Sequence, residues 1–191
     1  MLRRAAVLVV LACCAPCVQH LPAAPVPTHL MPKEPPCFYP TAVGTTWVYD
    51  CGGGRTETWA LAKVEEKHGA KLLTTEFVLA DGTRSHHMTL SVGDKGVYLV
   101  AERGATYEKP WCICKLPHKE GDAWQTEGHG ADMASGPLER LKTPAGEFTA
   151  VRVDWGVNGA TAKYWYAQGV GLVRMSGGAT LDLKSFTPGK P

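Results

Sequence analysis

Apolar and polar positions alternate with a period of two through most of the chain beyond residue 37, and that period belongs to half-buried strands. Val151, Val153 and Trp155 alternate with Arg152 and Asp154, and Tyr164-Trp165-Tyr166 continues the β-branched and aromatic composition that suits a pleated surface. The pattern predicts strands at about 45–51, 55–64, 70–79, 84–92, 96–102, 110–116, 122–127, 138–143, 147–155, 161–167, 170–176 and 180–186. Turn residues separate them, among them Gly52-Gly53-Gly54, His68-Gly69, Gly93-Asp94, Pro144-Ala145-Gly146 and Ser176-Gly177-Gly178. Asp81-Gly82 and Asn158-Gly159 are the strongest, because both dipeptides suit the positive φ of tight hairpins. No segment carries a convincing helical period. The one candidate, Gly130 to Leu138, is interrupted by Gly136 and Pro137. Connections this short exclude βαβ crossovers, so the expected fold is all-β: an antiparallel meander curled into a barrel, half-barrel or sandwich.

One phrase occurs twice. Cys37-x2-Pro40-x3-Gly44-x2-Trp47 and Cys114-x2-Pro117-x3-Gly121-x2-Trp124 share the spacing C-x2-P-x3-G-x2-W, 77 positions apart. The repeat predicts two similar halves, each started by a Pro-Gly turn, with Trp47 and Trp124 at equivalent core positions.

The N-terminus reads as an export signal. Arg3 and Arg4 precede the apolar run Ala5–Ala12, which is too short to span a bilayer as a helix. Val10-Leu11-Ala12-Cys13 is similar to the lipobox of bacterial lipoproteins, with Leu11 bulkier than usual. Cys13 is the expected lipidation site; Cys14 is a fallback and Cys17, after Pro16, a poor one. A plain cleaved signal and an uncleaved anchor are the alternatives. Residues 18–36 contain six prolines in nineteen residues, a composition that stays extended and reads as a tether. The expected organisation is therefore a signal over 1–12, a Pro-rich tether over 13–36, one all-β domain over 37–186 and a tail over 187–191.

Removing residues 1–12 takes two of the 20 basic residues and none of the 18 acidic ones, so the mature chain is neutral with histidine uncharged. No Lys/Arg cluster remains, which excludes nucleic acid as a partner class.

The stretches Phe38–Tyr49 (F-Y-P-x3-G-x2-W-x-Y), Leu116–Trp124 (L-P-x3-G-x2-W), Pro144–Phe148 (P-A-G-x-F) and Tyr164–Val173 (Y-W-Y-A-x-G-V-G-L-V) together resemble a family of uncharacterised bacterial secreted and lipoprotein domains. The resemblance spans most of 37–186. It implies an all-β envelope protein and carries no activity with it. Gln168 stands where that family often has proline, a difference confined to a turn.

Candidate chemistry is sparse. Cys37, Cys51, Cys112 and Cys114 fall in the domain, and an oxidising compartment makes two disulfides the expectation. Cys112 and Cys114, two apart on a strand, are expected on one face with separate partners. Cys37–Cys114 with Cys51–Cys112 is slightly preferred over the swapped pairing, and a four-thiolate zinc site lacks the usual C-x2-C knuckles. His86 and His87 are adjacent on a strand and project to opposite faces. His86 with His118 is the pair to test for metal, with His129 nearby in sequence, but no ligand spacing supports a site. Ser85 precedes His86 without a nucleophile elbow, Glu65 and Glu66 diverge, and Gly52–Gly54 with Arg55 reads as a turn more readily than as an anion cradle. Six tryptophans suit the core of a large curved sheet, and Trp59, Trp155 or Trp165 could meet a lipid or glycan. Neither a cofactor nor a catalytic residue is expected.

The expected function is a lipid-anchored envelope protein acting as a binding or structural module, joined to the membrane through Cys13, with no protein or small-molecule partner identified. A periplasmic carrier of lipid or acyl chains in a curved sheet is the alternative, and a hydrolase a distant third.

Overall fold

A computed structural model of the chain describes residues 38–128 and 130–190. Cys13, Cys14, Cys17, Cys37 and His129 lie outside them, as do the signal and the tether.

Twelve strands follow one another without a helix among the described residues. The first half holds β1 (Thr46–Asp50), β2 (Thr56–Lys67), β3 (Ala70–Val78), β4 (Arg84–Gly93), β5 (Gly96–Glu102) and β6 (Ala105–Lys115). The second holds β7 (Ala123–Gln125), β8 (Asp132–Thr143), β9 (Gly146–Val157), β10 (Ala160–Ala167), β11 (Gly171–Ser176) and β12 (Leu181–Thr187). All belong to one antiparallel sheet in the order β6-β5-β4-β3-β2-β1-β12-β11-β10-β9-β8-β7. The sheet does not close into a barrel by hydrogen-bonded ladders, since β6 and β7 remain its two edges.

Each expected strand has its counterpart, and the differences have local causes. The helix candidate 130–138 is the first part of β8, and Gly136-Pro137 is absorbed as an irregularity between Ser135 and Leu138 instead of ending the element. β6 begins at Ala105, because Arg103 (φ 47°) and Gly104 (φ 85°) make a tight hairpin that arginine does not advertise. Its residues 107–110 bulge away from β5, which lets Pro110 sit in an edge strand. Asn158 (φ 49°) and Gly159 (φ 83°) form the hairpin their sequence predicts. The expected tail is partly tied down, with Gly189 N–H donating to Thr45 Oγ1 at 2.9 Å.

The repeat is a repeat of geometry. Gly44 and Gly121 adopt φ of 86° and 83°. Thr45 N–H donates to Ala42 O at 3.2 Å, and Asp122 N–H to Lys119 O at 3.1 Å. Gly44 N–H and Gly121 N–H then reach the partner strands at Leu61 O and Ser135 O. Each tryptophan donates its indole N–H to a distant carbonyl: Trp47 to Val170 O at 2.7 Å, Trp124 to Cys112 O at 2.8 Å.

One apolar core runs through both halves. It includes Trp47, Tyr49, Trp59, Leu61, Leu73, Leu90 and Val97 from the first and Met133, Val151, Val153, Tyr166, Val173 and Leu183 from the second. Phe38 and Tyr39, ahead of β1, plug into it, and the Tyr39 ring lies 6.3 Å from that of Tyr166. Trp47 is fully buried as expected; Trp124, on the short edge strand β7, is only half-buried.

Candidate functional site

The two edges of the sheet, β6 and β7, meet at a seam. In the repeat, β6 and β7 correspond to β12 and β1, which are joined by a ladder. No ladder joins β6 to β7. Side chains bridge them instead: Trp124 to Cys112 O, Lys115 to Asp122 at 3.5 Å and Lys109 to Glu127 at 3.1 Å. Both ion pairs are solvated and contribute little. Beside this seam an open groove of about 550 Å³ runs across β7, β8 and β9, touching Trp124, Met133, Trp155, Asp132 and Asp154. The three large apolar residues are cross-strand neighbours, Trp124 opposite Met133 and Met133 opposite Trp155. Asp132 is tied to Gln125 by a 2.9 Å hydrogen bond, and Asp154 to Arg152 at 3.0 Å.

No disulfide joins the described cysteines. Cys51, Cys112 and Cys114 are free thiols, so neither pairing that places Cys51 opposite Cys112 or Cys114 is present. Cys51 sits at the β1–β2 turn among Asp50, Arg55 and Glu57, five ladders along the sheet from β6. A bulge also corrects the expectation that Cys112 and Cys114 share a face. Cys114 pairs with Val97 and Cys112 with Tyr98, leaving Ile113 as the extra residue. Consecutive residues of β5 face opposite ways, so the two thiols do too. Burial pushes the Cys114 thiol up to about 12, and raises Cys112 and Cys51 as well. None is activated as a nucleophile.

His86 and His118 are each engaged elsewhere. His118 Nε2 lies 2.9 Å from Gly136 O, and His86 holds the β5–β6 turn through Gly104 N–H at 3.0 Å. Among the described residues no group of three or more His, Cys, Asp or Glu is placed to hold a metal. His87 is buried, its ring 4.1 Å from both Trp59 and Phe77, and its Nδ1 has no hydrogen-bond partner among the described residues. Ser85 is exposed on β4, Glu65 pairs with Lys63 at 2.9 Å, and the Gly52–Gly54 run is a turn closed by Cys51 N–H to Arg55 O.

The three tryptophans considered for a ligand separate. Trp59 is buried in the core. Trp165 donates to Glu139 at 2.7 Å, within an ion cluster where Arg152 also reaches Glu139 at 2.7 Å. Trp155, half-buried, lines the groove. Sequence reasoning missed the role of Trp124 there. It placed that residue in the core because the repeat equates it with Trp47, and only strand order reveals that β7 is an edge.

No protein-family model and no curated relative matches this sequence. The chain is similar in structure to an inferred lipoprotein from Parabacteroides distasonis, with 15% identity and a TM-score of 0.54 over 81% of this chain and 100% of that one. It is also similar to an inferred exported protein with a YmcC-like fold from Bacteroides fragilis, with 14% identity and a TM-score of 0.52 over 80% and 99%. At these identities the likeness is one of fold: the same large antiparallel sheet.

Proposed function

We propose that this chain is an exported protein of the bacterial envelope, anchored by a lipid on Cys13, that binds or scaffolds through the outside of its sheet. The observation that carries this reading is the filled interior. A carrier of acyl chains needs an apolar cavity of several hundred Å³ inside the sheet. Here Trp47, Tyr49, Trp59, Leu183 and their neighbours occupy that position. The exported location draws support from Arg3, Arg4, the apolar run and Cys13, and from the descriptions of the two similar solved proteins. The protein works at the end of a proline-rich tether.

Two measurements test this. Cys13→Ser should move the protein from the membrane fraction to the soluble envelope fraction; unchanged fractionation overturns the anchor. Native mass spectrometry of the purified protein should show no bound lipid beyond the anchor, whereas a co-purifying acyl lipid at one per chain returns the carrier reading.

A further inference from the structure

His86 and His87 hold consecutive amides of one turn. His87 is the extra residue of a bulge in β4, left unpaired between Thr75 opposite Met88 and Glu76 opposite His86. Its backbone carbonyl accepts Arg103 N–H at 2.8 Å. The side chain of His86 accepts the next amide, Gly104 N–H, at Nδ1 and 3.0 Å. A backbone N–H can only donate, so Nδ1 carries the lone pair and the ring proton sits on Nε2, which lies 3.0 Å from Thr89 Oγ1. The turn so held closes the β5–β6 hairpin and contains Arg103 in the left-handed region, at φ 47°. A left-handed conformation, which L side chains rarely adopt, persists at a non-glycine residue only where surrounding bonds impose it.

We propose that His86 and His87 form an acid-released clasp, which holds the Arg103–Gly104 turn of the β5–β6 hairpin against β4 while both rings are neutral and loosens that turn in acid, with the β4–β5 ladder from Met88 to Gly93 staying paired. Protonating His86 removes the lone pair that Gly104 N–H uses, and sets two donors face to face. Protonating His87 puts a charge in a slot closed by Trp59 and Phe77, beside Arg103. Burial first, then the charge of Arg103, then His86, hold its ring neutral down to about 3. The π faces of Trp59 and Phe77 offset part of that penalty.

The carboxylates on the neighbouring elements are occupied. Glu76 on β3, cross-strand from His86, faces Arg84 of β4 at 3.5 Å. Glu102 on β5 takes the Tyr107 hydroxyl of β6 at 3.1 Å, and Glu57 on β2 takes the Trp59 indole N–H at 3.3 Å. The turn so loosened is the entry to β6, the edge strand whose Cys112 O receives Trp124 farther along. Acid therefore loosens the start of that edge strand while the β1–β12 ladder stays closed.

Amide hydrogen exchange, followed by NMR on the full chain in detergent micelles, tests the clasp. Protection factors remove the intrinsic pH dependence of exchange. From pH 7.5 to pH 5, protection at Arg103 and Gly104 is expected to fall at least tenfold, with β1 and β12 amides constant within twofold. His86→Phe should leave Gly104 poorly protected at both pH values, and His87→Phe, which fits between Trp59 and Phe77, should shrink the acid response at Arg103. Protected β1 and β12 amides certify that each variant is folded. A native response below twofold, or a response of native size in both variants, overturns the proposal.

Discussion

Where β1 meets β12, Thr46–Asp50 pairs with Asp182–Thr187 along a ladder, and Trp47 is sealed beneath it at 2% exposure. Where β6 meets β7, the strands occupy corresponding places in the repeat, yet no ladder joins them, and a tryptophan N–H and two solvated ion pairs reach across. The turns leading into the two joints share their backbone hydrogen bonds. The difference therefore arises in the strands: β7 has three residues, and β6 carries two bulges and Pro110 along its length. An identical start does not make an identical joint. The free length of backbone on either side decides whether a ladder forms.

The largest test of this comparison is to remove each tryptophan. Trp47→Ala leaves a cavity in a fully packed site and should cost about 4 kcal/mol by denaturant titration. Trp124→Ala, half-buried at an edge, should cost about 2 kcal/mol or less. Equal losses would mean that the seam is as load-sharing as the ladder.

Acid should weaken the two joints unequally as well. Unfolded, His87 takes its proton at the ordinary histidine value of 6.5; folded, it resists until about 3. Between those values the unfolded state binds the extra proton, so stability falls as pH falls. Above 6.5 neither state is protonated and the effect vanishes. The loss is at most about 1.4 kcal/mol per pH unit, about 2 kcal/mol by pH 5. Chemical denaturation at pH 7.5 and pH 5 should show it in the native chain and not in His87→Phe. A pH dependence of equal size in that variant would assign the acid sensitivity to other groups.

The smallest test sharpens the equivalence of the turns. Gly44→Ala and Gly121→Ala meet no atom within 4 Å of the added methyl, so each pays only for its positive φ, about 1 kcal/mol. Costs that differ by more than about 0.5 kcal/mol would separate two turns that now look alike.

How much of this was legible follows the range of the physics. Strand existence and the Asn158-Gly159 hairpin depend on neighbours in sequence, and alternation reported them. The Arg103-Gly104 hairpin did not show, because its left-handed arginine is held by His87 O and Gly104 by His86, partners that no local signal specifies. The bulges at Ile113 and His87 each add one residue to one strand. Each therefore changes which side chains share a face, and that set both the cysteine expectation and the role of the histidine pair beyond the reach of a period-two reading. Trp124 was legible as a counterpart of Trp47, but its exposure was not, because exposure depends on which strand lies beside it.

The strand order has a consequence for folding. Every ladder but one joins strands consecutive in the chain; the exception ties Thr46 to Thr187 across nearly the whole domain. Joining the chain ends at that ladder and opening the 116–122 link would turn the sheet into an unbroken meander without changing one hydrogen-bonded pair. In the natural connectivity the two six-strand runs can zip locally, but their union must meet the loop-closure entropy of the entire domain. The β1–β12 joint is thereby expected to form last and to set the pace of folding.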